Sequence, residues 1–162
     1  MEIISLLIIL SYVITMCYKV KGIPNSISET YYILEHKLWF VFSIISTAIL
    51  LMICLINTVS ESIQFLAFLS GAGMMFVGIA PNFREDLEGK IHQCGTFLCL
   101  ISSQILIGIC KPILLYNWFL FLIYVIIFIL INNGKIKDKF LKSKPLFWIE
   151  IISLLNVYLF II

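Results

Sequence analysis

Two stretches of this chain place acid, base and hydroxyl side chains close enough to do chemistry. The first runs Lys21-Gly22-Ile23-Pro24-Asn25-Ser26-Ile27-Ser28-Glu29-Thr30-Tyr31-Tyr32 and continues to Glu35 and His36. The second runs Pro81-Asn82-Phe83-Arg84-Glu85-Asp86-Leu87-Glu88-Gly89-Lys90-Ile91-His92. Read as a helix, the second puts Glu88 and His92 at i and i+4 on one face, a spacing that suits a metal or a proton relay. In the first, Ser26 followed three residues later by Glu29 is a capping-box pattern, with hydroxyl and carboxylate each satisfying a free amide. Ile27, Tyr31, Leu34 and Leu38 then recur at helical spacing, which predicts a short amphipathic helix at a surface. The candidate site residues are therefore Ser26, Ser28, Glu29, Tyr31, His36, Pro81, Arg84, Glu88 and His92.

The elements that must carry these residues are apolar. Of 162 residues 62% are hydrophobic, 14% aromatic and only 12% charged, against about a quarter charged in an ordinary soluble domain. So few charges cannot cover a water-facing surface, and disorder would need the opposite bias. Six apolar runs stand out, at 1–18, 37–57, 62–80, 91–110, 113–131 and 146–162. Each is apolar on every face and so reads as a helix, not as an alternating barrel strand. The fold class expected is all-α, a single polytopic transmembrane bundle of six helices with short loops, occupying 1–162. Residue Glu2 and the absence of a basic start make the first run a span and not a signal peptide.

Charge distribution orients the bundle. Six helices place connections 19–36, 81–90 and 132–145 on one side. With Lys37 at the edge of the second run, that side holds Lys19, Lys21, Arg84, Lys90 and the five lysines of 135–144. Lys111 stands alone opposite. Ten basic residues of eleven on one side is a positive-inside pattern. It predicts three cytoplasmic loops and both termini on the non-cytoplasmic side, in a bacterial-type inner membrane. Trp39 and Trp148 are expected at the cytoplasmic interface, Trp118 and Tyr158 at the other. The net charge of +2 is too small to suggest nucleic acid. Membrane lipids, and a second copy of the chain, are the expected partners.

Other residues limit the chemistry. Five cysteines without a CxxC pair fit small buried hydrophobes better than a disulfide framework or zinc ribbon. Two histidines exclude a three-histidine metal site, and no resident metal is expected. No cofactor can be named, because no nucleophile elbow, phosphate loop, dinucleotide fingerprint or paired-histidine zinc motif is present. Gln64, Gln104, Asn117 and Asn156 within the runs read as interhelical hydrogen-bond glue, and Glu150 as a carboxylate snorkelling to the interface. Ala67, Gly71 and Gly78 form a small-residue stripe with Ser70 and Gly73 beside it, which predicts that the third helix is central.

The pattern Gly22-x-Pro24-x-Ser26-x-Ser28-x-x-Tyr31, with Val77-Gly78-Ile79-Ala80-Pro81 leading to His92, resembles a family of six-span bacterial membrane proteins of unknown function. That family is distantly similar to the Frag1/DRAM/Sfk1-like group. The resemblance spans roughly residues 20–105, implies the six-helix count, adds weight to Ser28, Pro81 and His92, and brings no substrate. The favoured function is binding or sensing of a lipid or small amphiphile at a cytoplasmic-side polar pocket between helices two, three and four. Two other classes stay open. One is a membrane-embedded hydrolase using His92 and loop carboxylates, with or without a divalent metal, and the other is a structural or oligomer-forming membrane protein.

Overall fold

A computed structural model describes residues 1–162. The chain forms seven α-helices and no strand: α1 (Glu2–Val20), α2 (Leu38–Thr58), α3 (Gln64–Ile79), α4 (Asp86–Cys110), α5 (Tyr116–Ile131), α6 (Ile136–Lys142) and α7 (Pro145–Ile161). Single 3₁₀ turns precede α3 and α5 and interrupt the first connection. Five helical stretches are long and apolar enough to cross a membrane: Glu2–Val20, Leu38–Thr58, Glu61–Ile79, Asp86–Cys110 and Pro112–Ile131. Taken together, α6 and α7 make a sixth, bent by 45° at the break between them.

Three expectations change. The connection 132–145 is not an open loop, since α6 occupies its centre. The bend after α6 falls at Lys144, whose φ of 55° is left-handed, and Pro145 restarts the helix at a position needing no amide hydrogen. The fourth helix begins at Asp86, five residues ahead of the apolar run, because Asp86 and Glu88 in its first turn suit the positive helix end. The amphipathic helix expected from 27 to 38 is one 3₁₀ turn, Ser28–Tyr32. The bonds of this segment go elsewhere in the tertiary structure, as described below.

The third helix is central, running between α2 and α4. A Cβ added at Gly71 would lie 2.5 Å from Met52 Cβ, and one at Gly78 2.8 Å from Ile45, so this stripe admits α2. On the α4 side, a Cβ on Gly73 would meet the Cys99 nitrogen at 2.5 Å and the Gly95 carbonyl at 2.6 Å. Backbones that close leave no room for any side chain. The core follows from this packing: Phe40, Leu55, Leu106, Ile107 and Met16 are essentially inaccessible. Helix α5 is peripheral, with Val125 its one buried residue.

Polar side chains inside the apolar segments pair between helices. Gln104 of α4 accepts from Asn156 Nδ2 of α7 at 2.9 Å and from Trp118 Nε1 of α5 at 3.0 Å, while Asn117 donates to Asn156 Oδ1 at 2.6 Å. The aromatic residues expected at the interfaces differ in exposure. Trp39 is exposed. Trp148 has a buried, unpartnered Nε1, and Tyr158 is buried with its hydroxyl 2.6 Å from Ser5 Oγ of α1.

Because the atoms that an added Cβ would strike at Gly73 are backbone, Gly73→Ala should destabilise the fold by about 1–3 kcal/mol. Gly108→Ala, whose nearest neighbour is a Leu115 methyl at 3.4 Å, should be neutral or slightly stabilising. Thermal unfolding in detergent, read by circular dichroism, separates the two.

Candidate functional site

At one end of the bundle the turn between α3 and α4 is built by the residues singled out for chemistry. Pro81 is buried and ends α3, since it can supply no amide to continue the helix. His92, also buried, turns back so that Nδ1 lies 2.9 Å from the Ala80 carbonyl oxygen. One turn earlier, Glu88 Oε2 accepts the Asn82 amide at 3.0 Å. Between them Gly89 lets the Phe83 carbonyl come within 2.7 Å of where a Cβ would stand. Glu88 and His92 do share a face, and each hydrogen-bonds the backbone of the turn. No three His, Cys, Asp or Glu side chains anywhere in the chain meet in an arrangement that could hold a metal ion.

The first connection docks on this turn through Tyr32. The Tyr32 hydroxyl accepts the Arg84 amide at 2.9 Å and donates to Asn82 Oδ1 at 3.2 Å. Its ring packs edge-on against Phe83 at 5.0 Å, the Arg84 guanidinium lies 4.0 Å above it, and Phe83 in turn packs on His92 at 4.9 Å. The two polar stretches therefore meet through Tyr32, a residue that spacing did not single out. Tyr31, its neighbour, packs instead on Phe40 at 5.7 Å beneath Lys37. Helical spacing favours Tyr31, but the segment is a 3₁₀ turn, and its geometry decides which ring faces which neighbour.

The other candidates lie elsewhere. Ser26 Oγ accepts the Glu29 amide at 2.9 Å, half of the capping box, and the Glu29 carboxylate makes no return bond. His36 is exposed and lines a separate groove between α1 and α2 with Lys19. Ser28 turns toward α7, where its hydroxyl donates to Glu150 Oε1 at 3.1 Å. Glu150 Oε2 accepts the Ile27 amide. The expected snorkelling of Glu150 is thus replaced by inward pairing: Lys144 reaches Asn25 Oδ1 instead. The Phe147 amide, a free donor of the first turn of α7, is taken by the Asn25 carbonyl at 3.0 Å.

Glu150 and Ser28 line a cavity between α1, α2, α3, α4 and α7, with a volume of about 80 Å³. Its wall is mainly apolar, with Ile44, Leu51, Met74 and Val157 among its residues. The polar exceptions include Ser70, Thr96, Ser103 and Ser153. Thr96 and Ser103 are satisfied by carbonyls of their own helix, those of His92 and Leu100. Ser153, one turn beyond Glu150, is buried and its Oγ has no hydrogen-bond partner. No lysine, arginine or histidine lines the space. Compared with protein families, curated proteins and solved structures, the chain matches none, so geometry alone carries the functional argument. An apolar chamber with a few convergent polar groups is how small-molecule sites are generally built.

If Tyr32 joins the two polar stretches, Tyr32→Phe should loosen the α3–α4 turn by about 1 kcal/mol, the worth of a lost neutral hydrogen bond. Tyr32→Ala, which also removes the ring beneath Arg84, should do more. Limited trypsin cleavage after Arg84 measures both, with rates rising in the order wild type, Phe, Ala.

Proposed function

We propose that this chain is an integral membrane protein that binds a lipid or small amphiphile in the cavity between α1, α2, α3, α4 and α7. The observation that carries this reading is the composition of the chamber wall: apolar along the helices, with the Glu150 carboxylate, the Ser28 hydroxyl and the unpartnered Ser153 hydroxyl toward one end. An amphiphile has the same polarity profile. The polar residues around His92 and Tyr32 then serve as the plug that holds the α3–α4 turn and the first connection in place over that end.

The placement in a membrane rests on the long apolar helices and on where charge falls. The three longer connections meet at one end of the bundle through the Tyr32–Asn82 and Lys144–Asn25 bonds, and together with Lys37 at the start of α2 they carry ten of the eleven basic residues. By the positive-inside rule that end faces the cytoplasm and both termini lie opposite, in a bacterial-type inner membrane. The resemblance to the six-span bacterial family is in keeping with this arrangement.

Filling the chamber tests the reading. Ser153→Leu adds apolar volume at a position whose hydroxyl makes no bond, so the fold should stand while co-purified amphiphile, measured by native mass spectrometry, falls about tenfold, an occupancy loss corresponding to 1.4 kcal/mol. Equal lipid content in a correctly folded variant would overturn the proposal. Reporter fusions to the two termini should both give the non-cytoplasmic signal.

A further inference from the structure

The chamber's polar groups also specify the head of its ligand, and this inference rests on the reading of the chamber as a lipid site. Both Glu150 oxygens already act as acceptors, one for the Ile27 amide and the other for the Ser28 hydroxyl. A carboxylate offers about four lone-pair positions, so the loop occupies one on each oxygen and leaves the others for a donor. Three residues along α7, the buried Ser153 Oγ has no partner in the protein, and a buried hydroxyl in that state calls for one. With no cationic side chain in the wall, an anionic head would sit beside Glu150 in apolar surroundings with nothing to neutralise it.

From these groups we infer that the cavity takes a single-chain amphiphile whose head donates hydrogen bonds, a long-chain amine or alcohol, and discriminates against a carboxylate or phosphate head. The head sits between Glu150 and Ser153, donating to the carboxylate and bonding the serine hydroxyl. The chain runs along α7 past Leu154 and Val157, about 10 Å for the two turns from Glu150, between Leu51 of α2 and Met74 of α3. A volume of about 80 Å³ fits part of one chain and not a pair of acyl tails. The first connection is part of the site, because Ser28 reads the same carboxylate that the head does.

The test uses the full chain purified in a neutral maltoside detergent. Hexadecylamine, hexadecanol and hexadecanoic acid differ in the head alone, and native mass spectrometry at matched concentrations gives their relative retention. The amine and the alcohol should be retained at least about tenfold better than the acid, the discrimination that one hydrogen bond to a charged acceptor provides. Glu150→Gln should bring the amine down to the level of the alcohol, and Ser153→Ala should weaken both while leaving the loop bonds intact. Acid retained as well as amine would overturn the head-group inference and leave the chamber as a lipid site. Retention of none of the three would overturn both readings. Since Glu150→Gln also weakens the hold on the first connection, the wild-type series decides first, and Ser153→Ala serves as the variant independent of that hold.

Discussion

A half-buried carboxylate set among apolar helices must find donors, and much of one end of this molecule follows from how Glu150 finds them. Leaving such a group unpaired would cost several kcal/mol. The donors come from the connection between α1 and α2, more than a hundred residues away in the chain: the Ile27 amide and the Ser28 hydroxyl. Once that connection is held to α7, the bond between its Asn25 carbonyl and the Phe147 amide satisfies a free helix end. Thr30 comes within 2.5 Å of the Tyr12 hydroxyl of α1. Tyr32 is carried to the α3–α4 turn. One ionisable residue thus recruits a loop that ties α1, α3, α4 and α7 together.

The rest of the bundle is assembled by contact and by neutral polar pairs. Gly73 and Gly95 let the backbones of α3 and α4 touch, and Gly71 and Gly78 admit α2 from another side. In surroundings as apolar as these helices, small residues and a few hydrogen bonds supply the specificity that water-driven burial supplies in soluble proteins. The Gln104–Asn156–Asn117–Trp118 network does this for α4, α5 and α7. The central chamber lies where these two kinds of contact leave a gap, between the tightly packed α2–α3–α4 unit and α7.

The polar residues also differ in where the fold places them. His92 and Glu88 each bond a backbone group of the turn they adjoin, and Ser26 an amide of its own loop. Glu150 and Ser153 line the cavity, where the Ser153 hydroxyl has no partner in the protein. Ser28 belongs to both groups, a loop residue that reaches the chamber wall.

Length, composition and hydropathy by themselves determined the all-α class, the approximate limits of the long helices and the collection of positive charge on alternate connections. These follow from local sums: an apolar run of membrane-spanning length is a helix because its amides must be satisfied within the segment, and a glycine stripe marks a close face before its partner is known. Interhelical pairing of Gln104, Asn117 and Asn156 was legible for the same reason, since an amide in an apolar run has few other ways to be satisfied. Only the tertiary structure decided that Tyr32 and not Tyr31 joins the loops, that Glu150 faces inward, and that Ser153 lies without a partner beside it. A hydrogen bond between residues 122 positions apart leaves no trace in local spacing. It exists because helix packing brought donor and acceptor together, and the site depends on that meeting.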